Sequence, residues 1–193
     1  MTATRRSRTD IANRAYSKLS CRISLMTYYD RIMSSPVGDL TLVASDQGLV
    51  AVLWPDDAPN RVRLPERTRD AGQAVLMRAQ TQLSEYFAGQ RTVFDLPLDF
   101  HGTPFQQSVW QALLTIPFGQ TRSYAQIAAQ IGRPAAARAV GAANGRNPIS
   151  IIAPCHRVIG ANGRLTGFAG GLAAKQRLLE LENAQPARVL QAG

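Results

Sequence analysis

Apolar and polar positions fall into a regular pattern from Thr27 onward. Tyr28 to Met33 reads as a strand, Ser34 to Asp39 as a turn and Leu40 to Ala44 as a second strand. Asp46-Gln47-Gly48 is a tight turn and Leu49 to Trp54 a third strand, so the pattern predicts an antiparallel meander. A Pro- and Arg-rich loop follows from Pro55 to about Arg69. The period then changes to a helical one over Ala74 to Phe87. Val75, Leu76, Ala79, Leu83, Tyr86 and Phe87 share its apolar stripe, and Gly89 stops it. Arg91 to Leu98 reads as a short extended return.

The second half is mostly helical. Thr103 is an N-cap with Pro104 at the first helical position, and Phe105, Val109, Trp110, Leu113 and Leu114 follow at helical spacing. Pro117 and Gly119 end that helix. Ser123 caps a short helix from Tyr124 to Ile131. Gly132-Arg133-Pro134 turns the chain, and a second helix runs from Pro134 to about Asn144. After Asn147-Pro148, Ile149 to Ala153 reads as a short apolar strand leading into Pro154-Cys155-His156-Arg157. Val158-Ile159, a turn at Gly160 to Gly163 and a last helix from Leu172 to Glu182 complete the pattern. The fold class is α+β. Residues 26–98 form a small antiparallel sheet domain with one helix, and 99–185 form a mostly helical domain.

With 193 residues the chain can bury a core without staples. Two cysteines, Cys21 and Cys155, and two histidines, His101 and His156, make neither a disulfide framework nor a structural zinc site. No apolar run approaches the ~18 residues that span a membrane. Residues 1–25 lack the apolar core of a secretory signal. Being Arg- and Ser-rich they resemble an organelle transit peptide. A flexible tail, or an upstream start with Met26 as the natural first residue, fits them better. A second flexible tail is expected at 186–193, and the cytoplasm is the expected compartment.

Charge adds a partner class. The net charge is +9, divided as +5 over residues 1–25, −3 over 26–100 and +7 over 101–193, where Glu180 and Glu182 are the sole acids. A basic half joined to an acidic half points to a polyanion, most often nucleic acid. Two helices joined by a glycine-containing turn have the outline of a helix-turn-helix. The second carries Ala135-Ala136-Ala137-Arg138-Ala139-Val140-Gly141-Ala142-Ala143, a nearly smooth surface with one long cation. Such a helix suits close, sequence-independent contact with a backbone or minor groove. Packing in the interior explains it equally well.

A lone cysteine after an apolar run is more often an inert core thiol, but Cys155 between Pro154 and His156 is also the candidate nucleophile, because cationic neighbours or a histidine base promote a thiolate. In an extended chain adjacent side chains point to opposite faces, so Cys155 and His156 touch directly where the chain turns and otherwise communicate through a water. A histidine base also needs an orienting carboxylate, and Glu180 and Glu182 are the available ones.

Ile152-Ala153-Pro154-Cys155-His156-Arg157-Val158-Ile159 resembles the active-site signature of the O6-alkylguanine-DNA alkyltransferases. Gly102-Thr103-Pro104-Phe105-Gln106, Val109-Trp110, Ile116-Pro117-Phe118-Gly119, Thr121 to Tyr124, Ala136 to Gly141 and Asn147-Pro148 fit the same family in order. The resemblance covers residues 26 to about 183. It implies a ribonuclease H-like N-terminal domain and a winged helix-turn-helix C-terminal domain that carries the cysteine. It implies that Cys155 takes the alkyl group from guanine O6 in double-stranded DNA irreversibly, with O4-alkylthymine as a further substrate left open. His156 would activate Cys155 through a water, Glu182 would orient His156, and Asn147 would brace the turn. Tyr124 would rotate the nucleotide and donate to the departing guanine. Arg138 would fill the gap left in the duplex, while Ala137 and Arg133 would join Tyr124 and Arg138 at the DNA. Phe168, Ala169 and Val158 would line the pocket. Phe168 stands where many relatives have tyrosine and Ala169 where some have serine, and the zinc ligands of some relatives are absent. No cofactor and no metal are implied, and the protein is expected to be a monomer, cooperative binding on DNA being left open.

Three other classes compete. A non-enzymatic lesion sensor of the alkyltransferase-like kind would lack the reactive cysteine, which Cys155 in its motif argues against. A helix-turn-helix regulator would carry base-reading side chains on its second helix. A cysteine hydrolase would need an oxyanion hole that the sequence does not suggest.

Overall fold

The computed structural model describes residues 27–58, 60–70 and 72–183. The expected tails at 1–25, with Cys21, and at 186–193 lie outside the described residues.

The expected meander is present. β1 (Tyr28–Met33), β2 (Leu40–Ala44) and β3 (Leu49–Leu53) pair antiparallel, with Met33 opposite Leu40 and Thr41 opposite Leu53. Leu40, Leu42 and Ala44 face the main core, while Val43, Val50 and Ala51 pack beneath Val62 and Leu64 of the following loop. Cover on both faces explains why β2 and β3 are apolar nearly throughout. The loop also supplies a strand that the sequence pattern did not predict. β4 (Arg67–Arg69) adds parallel to β1, giving the order β3-β2-β1-β4. Its three residues are exposed, so backbone pairing forms it and hydrophobic patterning carries no trace of it.

α1 (Ala74–Phe87) starts at Gln73, whose side chain accepts from Leu76 N, and ends before Gly89 at φ 71°. It lays Leu76, Ala79, Leu83 and Tyr86 in the core formed with the sheet. The extended return expected at Arg91 to Leu98 is irregular, touching the sheet through a single bridge from Leu98 to Leu49. There the Gln82 side chain brackets Asp95, donating to its carbonyl and accepting from its N–H at 2.8 Å each. A side chain thus satisfies backbone groups that a ladder would otherwise pair.

α2 (Pro104–Leu114) and α3 (Tyr124–Gln130) both begin with a capping box, Thr103 with Gln106 and Ser123 with Gln126. The second helix of the pair is not continuous from Pro134. A 3₁₀ turn (Pro134–Ala136) precedes α4 (Ala137–Gly145). Proline at the start supplies no N–H, and no side chain caps the segment, which leaves its first turn tight. Short strands β5 (Arg122–Ser123) and β6 (Val158–Ile159) pair in parallel, and α5 (Gly171–Leu181) closes the described chain.

The strand expected over Ile149 to Ala153 is a set of tight turns. Ile149 bridges Val52, then Ala153 N bonds back to Ile149 O at 2.9 Å. Ile151 sits at φ 74°, a strained conformation for a β-branched residue. The run is apolar because it is buried in the seam between the two halves. Ile149, Ile151 and Ile152 share one core with Leu40, Leu42, Leu76, Leu83 and Leu178. A second core gathers Val109, Trp110, Leu113, Ile127, Val140, Cys155 and Val158.

Candidate active site

Asn147 shapes the turn that presents the cysteine. Its amide donates to Ala153 O at 2.7 Å and its side-chain oxygen accepts from Ile149 N at 3.1 Å, so one side chain closes the loop in both directions. The chain then enters a 3₁₀ turn over Cys155–Arg157, with Cys155 N bonded to Ala153 O at 2.8 Å and Arg157 N to Pro154 O at 2.9 Å. This corrects the expectation that Cys155 leaves an extended strand: consecutive side chains here fan out around a turn.

His156 is completely buried, and its Nε2 lies 2.8 Å from Glu182 Oε1. Glu182, just past α5, receives a set of donors. Arg157 gives Nε to Oε2 at 2.8 Å and Nη2 to Oε1 at 2.9 Å, Gly119 N reaches Oε2 at 3.2 Å, and the Tyr86 hydroxyl donates to Oε1 at 2.7 Å. Burial alone would push the Glu182 carboxyl up, but the hydrogen bonds and charges of His156 and Arg157 outweigh it and bring the pKa to about 2. An ionised carboxylate only accepts, so Nε2 carries the imidazole proton. Burial holds the His156 pKa below its ordinary value, against the pull of Glu182. The ring is therefore neutral, with a bare lone pair on Nδ1, and Nδ1 is buried with no partner among the described residues.

Cys155 is 2% exposed. Burial pushes its thiol up, and Asn147, Arg61 and Lys175 pull it back without cancelling that effect. It rests as a thiol and needs a base to become a nucleophile. Lys175 is a site residue that sequence reasoning missed. It is wholly buried, donates to Val158 O at 2.6 Å and Thr166 O at 2.9 Å, and burial lowers its pKa to about 8. A signal existed: apart from Lys18 it is the chain's one lysine among twenty arginines, and it stands in an apolar helical stripe with Ala174, Leu178 and Leu179.

Beside this network lies an open cleft of about 840 Å³. Tyr124, Ala137, Arg138, Phe168 and Ala169 line it, as do Gly141, Thr166 and Arg61. Phe168 meets His156 edge-on at 6.4 Å and Trp54 at 5.2 Å, so one ring links the cleft wall to the buried imidazole. Thr166 Oγ1 bonds the Tyr124 hydroxyl at 3.0 Å. α4 serves both readings of its small residues. Val140, Ala143 and Asn144 are buried, with Ala143 O accepting from Trp110 Nε1 at 2.9 Å, while Arg138, Ala139 and Ala142 face outward. Val158 is buried in the second core together with Cys155, and neither is on the wall of the open cleft. Arg133 is exposed and also lies off the cleft wall.

The Pro55–Arg69 loop, to which the sequence assigned no role, brings Arg61 to the site. Its guanidinium forks onto Asp57 and donates to Asn147 O, fastening the loop to the cysteine's turn. Among the described residues no group of three His, Cys, Asp or Glu side chains could hold a metal, and no helix is long and apolar enough to cross a membrane.

Two family models match the chain. The DNA binding domain of 6-O-methylguanine DNA methyltransferase matches residues 104–184, and its ribonuclease-like domain matches residues 27–100. The methylated-DNA–protein-cysteine methyltransferase of Mycobacterium tuberculosis is 53% identical over 162 residues, 83% of this chain and 94% of the relative. That of Methanosarcina acetivorans is 48% identical over 154 residues, 80% and 97% of the two chains. Among solved structures, Mycobacterium tuberculosis OGT in complex with DNA superposes with a TM-score of 0.75 at 52% identity, covering 82% of this chain and 96% of that one.

Proposed function

This chain belongs to the 6-O-methylguanine DNA methyltransferase family, and on that footing we propose that it repairs O6-alkylguanine in duplex DNA by taking the alkyl group onto Cys155. The observation that carries the reading is the buried His156–Glu182 pair directly after Cys155 in the chain, in which an ionised carboxylate fixes the proton on Nε2 and leaves Nδ1 bare and unpartnered among the described residues, free to act as a base.

The chemistry balances without a cofactor. The Cys155 proton passes through a water to His156 Nδ1. The thiolate attacks the alkyl carbon, a C–S bond forms and the carbon–O6 bond breaks with its electron pair on guanine. Guanine is a poor leaving group and takes a proton from a donor at the site. Tyr124 is suited to be that donor, because Thr166 can donate to its oxygen, which frees the phenolic proton. Asn147 braces the turn on which the thiol rides. The thioether product has no easy exit, so each molecule acts once.

O6 lies on the pairing edge, so the nucleotide leaves the stack to reach Cys155. The outward face of α4, smooth but for Arg138, suits the minor groove, with Arg138 filling the gap, Ala137 allowing close approach and Arg133 available to phosphate. Phe168 and Ala169 form the apolar wall for the base. In this reading residues 99–185 bind DNA and transfer the alkyl group, and residues 26–98 support them. A protein acting on chromosomal DNA in a cell like those of its mycobacterial relatives would work in the cytoplasm.

Incubation with O6-methylguanine duplex and measurement of intact mass tests the proposal. The expected result is a stoichiometric gain of one methylene that maps to Cys155 and is lost in Cys155→Ala, which still binds DNA. DNA binding with no adduct on the parent protein would overturn it.

A further inference from the structure

Tyr86 stands outside the cleft and in the other half of the chain, in α1, yet its hydroxyl donates at 2.7 Å to Glu182 Oε1, the same oxygen that pairs with His156 Nε2. We propose that Tyr86 is a positioning residue for alkyl transfer, its phenol fixing Glu182 Oε1 and sharing its charge so that His156 stays neutral with Nδ1 free. This rests on the proposed function, since it assigns Tyr86 a role at the same His156–Glu182 pair.

Three observations support it. The donor is permanent: Tyr86 is completely buried, and burial, with Glu182 beside it, holds the phenol far above its ordinary range. A phenol that does not ionise is a donor at every working pH. The ring is held in place by Phe87, Phe94 and Phe118, with centroids 5.4, 5.5 and 6.2 Å away, so the hydroxyl has little freedom to leave Oε1. The burial is also more than the core requires. A phenylalanine would fill the same ring site, and a hydroxyl survives in an apolar core only where it is paired.

The charge balance explains what the bond does. Glu182 faces His156 and Arg157 on the 3₁₀ turn, Gly119 N and Tyr86, while Lys175 of α5 also acts on His156. Arg157 and Lys175 favour a neutral imidazole, whereas Glu182 favours the imidazolium. Each donor to Glu182 spreads its negative charge and weakens its pull on the imidazole proton. With the phenol removed, Oε1 becomes more basic and His156 holds its proton to higher pH, so the acid limb of transfer moves up.

Tyr86→Phe removes this bond and keeps the ring. The chain has two histidines, so the imidazole of His156 can be followed by NMR in DNA-free protein with His101 as internal reference. The expected result is an upward move of the His156 titration midpoint with that of His101 unchanged. Single-turnover transfer should be about tenfold slower on its acid limb, recover as the pH is raised, and occur with unchanged DNA affinity. Phe94→Leu disturbs the ring packing but keeps the phenol; it should lower the melting temperature while leaving the His156 midpoint and the acid limb in place. A parental midpoint and acid limb in Tyr86→Phe, whatever its melting temperature, would overturn the assignment. If the parent protein fails to methylate Cys155, the proposed function fails instead, and the NMR midpoint, which needs no transfer, still decides the role of Tyr86.

Discussion

Glu182 concentrates more of the site's energetics than any other described side chain, because one buried carboxylate answers an imidazole, a guanidinium, a phenol and a backbone N–H. Its replacement therefore has a large expected effect. Glu182→Gln leaves Arg157, itself buried, without a counter-charge, and removing one partner of a buried pair costs about 3–5 kcal/mol. Thermal or urea melting should show that loss, together with slower transfer. The same groups set the acid limit of stability. The folded His156 pKa lies below 6.5, so the unfolded chain binds the extra proton first and stability falls as the pH drops through 6.5. Glu182 works in the same direction lower down. Its contribution is complete above its ordinary 4.5 and is lost as the pH falls toward about 2. Melting temperature against pH should decline in two stages, and the second should be absent in Glu182→Gln.

At the scale of elements, the turns carry as much as the helices. Gly170 precedes α5 and follows Phe168 and Ala169. A Cβ at Gly170 would lie 2.4 Å from the Trp54 ring, which also contacts Phe168. An indole packed in the core cannot swing aside cheaply, so Gly170→Ala should cost about 1–3 kcal/mol and displace the cleft wall. Circular-dichroism melting and the transfer rate would both register it. α4 gives the opposite case. Ala142 faces outward, so Ala142→Glu should leave the unfolding free energy within about 0.5 kcal/mol of the parent while weakening duplex binding roughly tenfold. Unchanged DNA affinity in that variant would move the DNA interface off this helix.

Across the whole molecule, the two halves meet through an apolar seam with polar fastenings on it. Ile149, Ile151 and Ile152 sit in the N-terminal core, Arg61 grips Asn147 O from one side, and Tyr86 grips Glu182 from the other. The N-terminal half thereby touches both the turn that carries Cys155 and the carboxylate that pairs with His156. Arg61→Met should leave the half-buried Asp57 carboxylate with the Trp54 N–H as its remaining donor, lower stability by about 1–3 kcal/mol and slow transfer, with the cleft's own lining otherwise intact. Equilibrium unfolding with a single transition in parent and variant would show that the halves unfold together.

The sequence by itself determined the regular elements and supplied the candidates for the reacting groups. Apolar periodicity and capping residues are local, so β1 to β3, α1, α2 and α3 were legible to within a residue or two at their ends. Cys155 and His156 stood out as one of two cysteines and one of two histidines, whereas Asn147 and Glu182 were singled out by the resemblance to the alkyltransferase signature. Only the tertiary structure decided the rest. β4 is made of exposed residues held by backbone pairing, and Ile149 to Ala153 is buried on all sides, so neither carries the alternation of a half-buried strand. The Val158 side chain, expected at the pocket, packs in the core beside Cys155, a placement that chain order alone does not reveal. Tyr86, Arg61 and Lys175 look like a stripe aromatic, a loop cation and a helix cation until the chain closes. Their partners lie 96, 86 and 17 residues away, and a contact that long-ranged leaves no periodic trace in the sequence.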